Sequence, residues 1–470
     1  MNPGTRTLLP AQGAETRSRL RTQGGVLLIA LLIYGLTVML GEHTRSSGMA
    51  YFNELANSFL HGRLDVPVPS SKHDLTEYQG RWYLPFPPLP ALLLLPGVAL
   101  FGADGVNAVL FSIVMASLGV ACVHGMLRAL ADRGLIALDA RGALWLTGLF
   151  GLGTVYWSVA ILGSVWYLGQ VTSVALVAAA GWMAAERRPL AAGLALAGAI
   201  LGRPNLILTA PFLWALCAVD SPRSRAALPL PLPAGTAPRP SLSAGATPRL
   251  LLPAIPAVAA IGALLLYNQA RFGSLFDFGY RTANVPPKLA ADLRELGQFH
   301  WQYVTRNLAA MLWLLPQWDA KRQMLVPNFE GMSLLLTTPA IVYLARLRAA
   351  AGRESGPDSG SGAGAGSGSG SSPRSATRRV IRAAWLSIGL LLLPLLTYYN
   401  TGWMQFGYRF SLDFAVPLIA LLAIAAGPHP SRLYRALIVA GIGVNLWGVA
   451  AWMSMLRGLQ LLIPAPDTDF

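Results

Sequence analysis

Residues 73–102 read HDLTEYQGRWYLPFPPLPALLLLPGVALFG, a polar run that leads directly into a proline-rich apolar run. The polar part carries the carboxylates of Asp74 and Glu77 and the aromatic pair Trp82 and Tyr83. Whether the apolar part crosses a membrane decides on which side every later loop lies. This stretch therefore determines the topology, and with it the place where the carboxylates can act.

The composition is that of a membrane protein. Of the 470 residues, 54% are hydrophobic and 12% are charged, and the mean hydropathy is +0.49. Soluble domains carry roughly 25% charged residues. Several apolar runs approach the roughly 20 residues that a helix needs to cross the hydrocarbon core. We therefore expect an all-α polytopic membrane protein.

The apolar runs predict about eleven transmembrane helices. The long run 190–219 is divided at Arg203-Pro204-Asn205, because proline removes a helix donor and clashes with the preceding turn. Its two halves are expected to meet near the far face of the membrane. The predicted spans are 24–41, 106–128, 142–160, 168–186, 190–202, 205–219, 250–267, 331–347, 382–398, 411–428 and 433–456.

Charge decides between crossing and re-entry for residues 85–102. If this segment re-enters, 22 of the 36 Lys and Arg residues but only 7 of the 21 Asp and Glu residues lie on the side of the N-terminus. Lys and Arg accumulate in cytoplasmic loops. Prolines at the entry of the segment also favour an irregular backbone, which is tolerated where protein or water covers it. We predict a re-entrant or interfacial segment and a cytoplasmic N-terminus.

This topology divides the chain into tails, loops and modules. Two cytoplasmic loops have biased compositions typical of flexible linkers, one rich in proline and one in glycine and serine. The predicted units are a cytoplasmic tail 1–23, a transmembrane module 24–220 with outer loop 42–84 and re-entrant segment 85–102, a Pro-rich loop 221–249, a helix pair 250–347 flanking outer loop 268–330, a disordered Gly/Ser linker 351–378, and a transmembrane module 379–470. Surface helices are expected at about 47–61 and 287–311.

The charge and cysteine content exclude several classes of partner. The net charge of +15 is explained by cytoplasmic Lys and Arg, so we expect no nucleic acid partner. The two cysteines, Cys122 and Cys217, lie in apolar runs and predict neither a disulfide framework nor a zinc site. No histidine spacing indicates a metal site. No cofactor is predicted, and a divalent metal is left open.

The outer loops collect the polar residues that could perform chemistry. Carboxylates suit proton transfer, arginines suit a phosphate and aromatic rings suit sugars. The candidate catalytic carboxylates are Asp74, Asp65, Glu54 and Glu42; the candidate phosphate ligands are Arg409, Arg271, Arg281 and Arg203; the candidate sugar or acceptor contacts are Trp82, Tyr83, Tyr280, Trp403 and Tyr408. Simpler explanations stay open, such as helix capping by Asp74, snorkelling of Arg409 and an aromatic belt.

Four segments together resemble a known family. They read LANSFLHGRLDVP (55–67), YQGRWYLPFPPLPALLLLP (78–96), YNQARFGSLFDFGY (267–280) and WMQFGYRFSLDFAVP (403–417). In this order the chain is similar to the C-type glycosyltransferase (GT-C) superfamily, in particular to the dolichyl- or polyprenyl-phosphate-mannose protein mannosyltransferases of glycosyltransferase family 39. Many members carry an Asp just before the tyrosine that opens the surface helix, whereas here RSSGMAYFNEL precedes and includes Tyr51 without one.

The resemblance implies a GT-C-like fold with a catalytic carboxylate in the first outer loop. It implies transfer of a hexosyl or pentosyl group from a polyprenyl-phosphate donor in the lipid bilayer to an acceptor hydroxyl, on a glycan, lipid or protein, at the outer face. We expect the inner (plasma) membrane of a bacterium. The alternatives are a transporter or lipid flippase, which needs ionisable residues at mid-membrane depth, and a non-catalytic assembly protein.

Overall fold

The structure is a computed structural model, and it describes residues 8–44, 49–219, 251–320, 323–347 and 373–459. Helices dominate, as predicted, and two short β-hairpins lie in the outer loops. The helices are α1 Leu8–Leu40, α2 Tyr51–Leu60, α3 Leu89–Phe101, α4 Ala108–Asp132, α5 Ala140–Leu152, α6 Tyr156–Ala160, α7 Val165–Ala185, α8 Pro189–Gly202, α9 Ala210–Ala218, α10 Ala254–Phe272, α11 Pro287–Glu295, α12 Tyr303–Leu312, α13 Leu334–Thr337, α14 Pro373–Thr397, α15 Ala415–Ala426 and α16 Arg432–Leu459; the strands are β1 Thr76–Tyr78, β2 Arg81–Tyr83, β3 Gln317–Asp319 and β4 Met324–Val326.

Residues 41–107 leave the helix bundle and return to it at the same end. At one end of the antiparallel pair α1 and α4, Arg19 forms a 2.7 Å ion pair with Asp132. At the other end the Asn107 amide donates to the Thr44 carbonyl at 2.6 Å. The intervening α3 has 13 residues, about 20 Å of helix, which is short of a hydrocarbon core of about 30 Å. The chain therefore does not change sides over this segment, as the re-entrant interpretation requires.

Residues 189–218 form a second excursion, from the opposite end of the bundle. The buried Arg133 donates to the carbonyls of Ala185, Leu216 and Val219, which lie just before and just after this excursion. The excursion therefore starts and finishes at the same end, here called the Arg133 end; the other is called the Asp74 end. Its turning point is the extended Arg203, as the proline break predicted.

The described residues include seven helices long and apolar enough to cross a membrane. Three shorter apolar helices accompany them, Leu89–Phe101, Pro189–Gly202 and Pro204–Ala218. The predicted count of about eleven transmembrane helices is not confirmed by the described residues. The seven long helices are Arg19–Leu40, Ala108–Asp132, Val165–Ala185, Ala254–Phe272, Ser375–Thr397, Arg409–Ala426 and Arg432–Ser454. The chain is a multi-pass helical membrane protein.

Two predicted spans are interrupted for local reasons. In the run 142–160 the helix ends at Gly153, where the Thr154 hydroxyl donates to the Phe150 carbonyl and accepts from the Tyr156 amide. Threonine side chains compete in this way with helical backbone bonds. In the run 331–347, Thr338 has φ −139° and ψ 66° because it precedes a proline.

The outer loops differ from the prediction in detail. Residues 76–83 form the antiparallel hairpin β1–β2, with Thr76 opposite Tyr83 and Glu77 opposite Trp82. The amphipathic helix predicted at 287–311 is two helices, α11 and α12, because Gly297 adopts a left-handed φ of +79° after the first. The first surface helix is observed as α2.

The predicted module boundaries shift at two places. Helix α1 begins at Leu8, inside the tail predicted at 1–23, and α14 begins at Pro373, inside the predicted Gly/Ser linker. The Pro-rich loop 221–249 lies outside the described residues, and so does the linker from 351 to 372.

Small residues allow the central helices to approach each other closely. A Cβ on Gly119 of α4 would lie 2.3 Å from the Tyr156 hydroxyl and 3.2 Å from Cα of Ala175 in α7. A Cβ on Gly202 would lie 2.3 Å from the hydroxyl of Ser173. Small residues are typical of helix interfaces within membranes. Gly202 thus brings the turning point at Arg203 against α7.

We expect the two ends of the bundle to be accessible from opposite sides of the membrane. In a variant without Cys122 and Cys217, single cysteines at Gln79 and Asp104 should react with an impermeant maleimide added outside intact cells. A cysteine at Arg141 should react only after the cells are opened, because Arg141 lies at the basic Arg133 end. If Asp104 and Gln79 were labelled from opposite sides, residues 85–102 would cross the membrane.

Candidate active site

A cavity of about 460 Å³ lies at the Asp74 end, where both excursions meet. Its size falls within the roughly 300–1,000 Å³ of small-molecule sites. One part of its wall is polar, formed by Asp74, Trp166, Gln170, Arg203, Asn205, Tyr280, Tyr398, Tyr399, Asn400 and Arg409. The remainder is mainly apolar, formed by residues that include Phe52, Phe86, Pro87, Ile207, Leu208, Phe299, Pro394 and Leu395. The cavity can therefore hold a molecule that has both polar and apolar parts.

Asp74 is held in the cavity wall by its backbone and by its side chain. Its amide donates to the Asn284 carbonyl at 2.8 Å, and its φ of +59° is a conformation that Asp tolerates better than most residues. The Trp166 indole N–H donates to Oδ2 at 2.7 Å, and Nε2 of His73 lies 3.9 Å from Oδ1. One carboxylate oxygen is thus fixed by an indole, while the other lies beside an imidazole.

Burial raises the pKa of Asp74 above the ordinary aspartate range. The positive field of His73, the hydrogen bond from Trp166 and the charge of Arg409 act in the opposite direction and only partly cancel the effect on the pKa. A carboxylate with a raised pKa is a stronger base than an ordinary aspartate. Asp74 is therefore equipped to accept a proton.

Asp413 is a fully buried carboxylate that joins three segments of the chain. Oδ2 accepts from Arg203 Nη2 at 2.8 Å and from Asn205 Nδ2 at 2.7 Å, both at the turning point of the excursion 189–218. Oδ1 accepts from Gln170 Nε2 of α7 at 3.2 Å. A buried charge is tolerated when it is paired and hydrogen-bonded in this way. Asp413 thereby holds the Arg203 guanidinium at the cavity wall.

Arg409 is the second guanidinium of the cavity. Nη1 donates to Gln170 Oε1 at 3.1 Å and Nε donates to the Gly402 carbonyl at 3.1 Å, while the Phe410 ring lies 4.7 Å from the guanidinium carbon. Within the described residues, Arg409 Nη2 and Arg203 Nη1 make no hydrogen bond to protein. The two arginines and Asp413 together carry a net charge of +1, so this part of the wall, in the same cavity as the Asp74 carboxyl group, suits an anion such as a phosphate.

Three tyrosines line the cavity beside these arginines. The ring of Tyr280 lies 6.5 Å from that of Tyr398 and 6.3 Å from that of Tyr399. Burial raises the pKa of all three phenols. The Tyr398 hydroxyl is hydrogen-bonded to those of Tyr280 and Tyr399. This chain of protonated hydroxyl groups offers acceptor oxygens and one remaining O–H donor to an oxygen-rich ligand.

The structure brings five of the predicted site residues into this cavity: Asp74, Arg203, Arg409, Tyr280 and Trp403. They come from four separate parts of the chain, so their meeting is a result of the tertiary fold. Two further predicted residues, Trp82 and Arg281, line a second and smaller cavity.

The other predicted residues lie outside both cavities. Asp65 is paired with Arg63 at 2.6 Å, and the hydrogen bond from Arg63 lowers the pKa of Asp65, which makes it a weak base. Glu42 is exposed in the turn after α1, and Glu54 accepts from the Ser70 amide. The remaining three have local partners: Arg271 donates to the Leu84 carbonyl, Tyr83 packs against Phe272, and Tyr408 donates to the Leu395 carbonyl.

Sequence reasoning missed several residues of the site. Trp166 lies just before the predicted span 168–186 and Gln170 lies at its start, while Asp413 lies near the start of the predicted span 411–428, where a carboxylate is also favoured by the helix dipole alone. An ionisable or amide side chain within an apolar run is itself a signal of function or of pairing. That signal could have indicated Gln170 and Asp413, but not which residues they contact. Among the described residues, no three His, Cys, Asp or Glu side chains converge as a metal site requires.

Comparisons with known proteins give one solved structure. No family model and no curated protein matches the chain. The structure of the archaeal oligosaccharyltransferase AglB from Archaeoglobus fulgidus, in complex with an inhibitory peptide and a dolichol-phosphate, is similar with a TM-score of 0.41 and 13% sequence identity. The match covers 94% of this chain and 58% of AglB, so the chain spans little more than half of that protein. A likeness at this level assigns neither a family nor an activity to this chain.

We expect Asp413→Asn to destabilise the protein far more than the same substitution in a partly exposed ion pair. Removing one partner of a buried ion pair leaves the other charge uncompensated and costs about 3–5 kcal/mol of unfolding free energy. The measurement is thermal unfolding in detergent. The matched control is Asp292→Asn, whose 2.8 Å pair with Arg306 is partly exposed and is expected to contribute about 1 kcal/mol or less. Equal losses in the two variants would contradict the role assigned to Asp413.

Proposed function

We propose that the protein is a membrane glycosyltransferase of the GT-C type. It transfers a sugar from a polyprenyl-phosphate-linked donor to an acceptor hydroxyl at the outer face of the membrane. The observation that supports this proposal is a carboxylate with a raised pKa, Asp74, in the same cavity as the guanidinium groups of Arg203 and Arg409.

The cavity offers each part of such a donor a suitable environment. Arg203 and Arg409 present free N–H donors to a phosphate. Tyr280, Tyr398 and Tyr399 present hydroxyl groups to a sugar. The apolar wall at Ile207, Leu208, Pro394 and Leu395 accommodates the first part of a prenyl chain.

In the proposed reaction Asp74 acts as general base. Its carboxylate accepts the proton of the acceptor hydroxyl, whose oxygen forms a bond to the anomeric carbon of the donor sugar. The bond between that carbon and the phosphate oxygen breaks, and the polyprenyl phosphate leaves with the electron pair. The two guanidinium groups stabilise the negative charge that develops on the leaving phosphate.

The proposal includes a cellular setting, which the distribution of Lys and Arg supports. The basic Arg133 end faces the cytoplasm and the cavity opens towards the other side, in the inner membrane of a bacterium. The donor would lie in the bilayer with its phosphate at the cavity. The acceptor is a glycan, a lipid or a protein.

We expect Asp74→Asn to lower kcat about 10²- to 10⁴-fold, which is the usual contribution of a general base. Asparagine keeps the shape of the side chain but cannot accept the proton. The measurement is sugar transfer by the purified protein in lipid nanodiscs from a panel of polyprenyl-phosphate sugars. The matched control is Asp65→Asn, which should retain activity because Asp65 is paired with Arg63 outside the cavity.

One result would contradict the role of Asp74, and another would contradict the class of protein. Full activity of Asp74→Asn would remove Asp74 as the base and leave the reaction in place. Flux of the lipid across proteoliposomes without any covalent product would instead identify a transporter or flippase.

We expect Trp166→Phe to move the acid limb of the pH profile of kcat/KM to higher pH. The indole N–H stabilises the charged form of Asp74, so its loss raises the pKa of Asp74 further. Activity should therefore fall at low pH and recover as the pH rises. The measurement is kcat/KM as a function of pH.

A purely structural effect of this substitution would lower activity equally at every pH. The matched control is Trp157→Phe, because the Trp157 indole donates to the Thr37 hydroxyl and does not line the cavity. A shift of equal size in Trp157→Phe would contradict a specific role of Trp166.

A further inference from the structure

A second cavity, of about 270 Å³, lies on the outer side of hairpin β1–β2. The hairpin forms one wall, and α11 with the segment before it forms the other. The lining residues that carry the inference are Glu77, Trp82, Arg281, Asn284 and Arg294. Two of them, Trp82 and Arg281, are site residues predicted from the sequence that the larger cavity does not include.

The hairpin presents two chemically different faces. Thr76 and Tyr83 are paired across the strands and are buried, with the Thr76 hydroxyl donating to the Gly279 carbonyl at 2.6 Å. Glu77 and Trp82 form the next cross-strand pair. Because successive side chains of a strand point to opposite faces, this second pair faces away from the core. The outward pair is a carboxylate beside a large aromatic ring.

The charges of the second cavity are available to a ligand. In the part of the chain that the structure describes, Glu77, Arg281 and Arg294 form no ion pair. The ammonium group of Lys72 lies 5.0 Å from the centre of the Trp82 ring and adds a third positive charge nearby. Three cations and one carboxylate around an indole favour an anionic ligand that also has a flat or ring-shaped part.

We propose that this second cavity binds an acidic saccharide. The sugar ring packs against Trp82, and its carboxylate or phosphate group binds Arg281 and Arg294. Its hydroxyl groups donate to Glu77 and to the side-chain oxygen of Asn284, whose Nδ2 already donates to the Lys72 carbonyl at 3.0 Å. A volume of about 270 Å³ is slightly below the roughly 300–1,000 Å³ of sites that enclose a whole small molecule, so the cavity holds one sugar residue of a longer chain.

The second cavity is connected to the larger one through the backbone of Asn284. The Asn284 carbonyl accepts from the Asp74 amide at 2.8 Å, and the Asn284 amide donates to the Leu75 carbonyl at 2.7 Å. A saccharide bound at Asn284 therefore contacts a residue whose backbone is hydrogen-bonded to Asp74 and Leu75. If the protein is the proposed glycosyltransferase, on which this step rests, the acidic saccharide is its acceptor.

The test measures binding without requiring transfer. Saturation-transfer NMR of the full chain in nanodiscs is recorded with a disaccharide that contains one glucuronate residue, and with the same disaccharide after reduction of its carboxylate. We expect the acidic form to bind and the neutral form to bind more weakly. The double variant Arg281→Gln, Arg294→Gln should raise the dissociation constant of the acidic form about tenfold, as expected for losing charge-assisted hydrogen bonds.

Arg81→Gln is the matched control, because Arg81 is exposed on the same hairpin but does not line the cavity. Absence of binding, equal binding of the two disaccharides, or an equal loss in Arg81→Gln would each overturn the proposal. Asp74→Asn should bind the disaccharide as the unchanged protein does. A transfer assay that fails while binding persists would therefore overturn the proposed reaction and leave the saccharide site in place.

Discussion

The ion pair between Arg203 and Asp413 is the interaction on which the site depends. Oδ2 of Asp413 accepts from both Arg203 and Asn205, and its other oxygen accepts from Gln170, which in turn bonds to Arg409. A carboxylate without these donors would be prohibitively costly in this buried position, and the two guanidiniums would repel each other without the carboxylate. The same contacts join α7, the turn after α8 and the segment Arg409–Phe414 that precedes α15. The buried Asp413 carboxylate thus contributes both to the packing of these segments and to the charge balance of the cavity.

Two parts of the chain that do not complete a crossing supply the catalytic candidate and one guanidinium of the polar wall. The excursion 41–107 brings Asp74 to the cavity from one end of the bundle, and the excursion 189–218 brings Arg203 from the other. Polar backbone and side chains at membrane depth are tolerated where protein covers them or a water-filled cavity reaches them. In the excursion 189–218 a proline has a role in this arrangement, since α8 ends just before Arg203-Pro204 and the chain turns there.

Particular residues show how far the site could be predicted. Asp65 and Asp74 have the same chemistry and both follow α2, yet Asp65 is paired with Arg63 and Asp74 is held by Trp166. Arg271 and Arg409 are both arginines beside aromatic residues near a helix end, yet Arg271 donates to Leu84 under the cavity wall while Arg409 lines the cavity. Arg63 is only two residues from Asp65, but the partners Trp166 of Asp74, Leu84 of Arg271 and Gln170 of Arg409 are all distant in the sequence. Composition and local spacing contain no information about such a partner.

The sequence by itself determined the class of protein, the basic end of the bundle, the break at Arg203 and the segment 85–102 that returns without crossing. These properties follow from hydropathy, from the distribution of Lys and Arg and from the backbone limits of proline, all of which act locally. Only the tertiary structure decided which carboxylate faces the arginines, that Asp413 compensates Arg203, and that Trp82 and Arg281 belong to a separate cavity. Those outcomes depend on which helices pack side by side, because side chains far apart in the chain become neighbours only when the bundle closes.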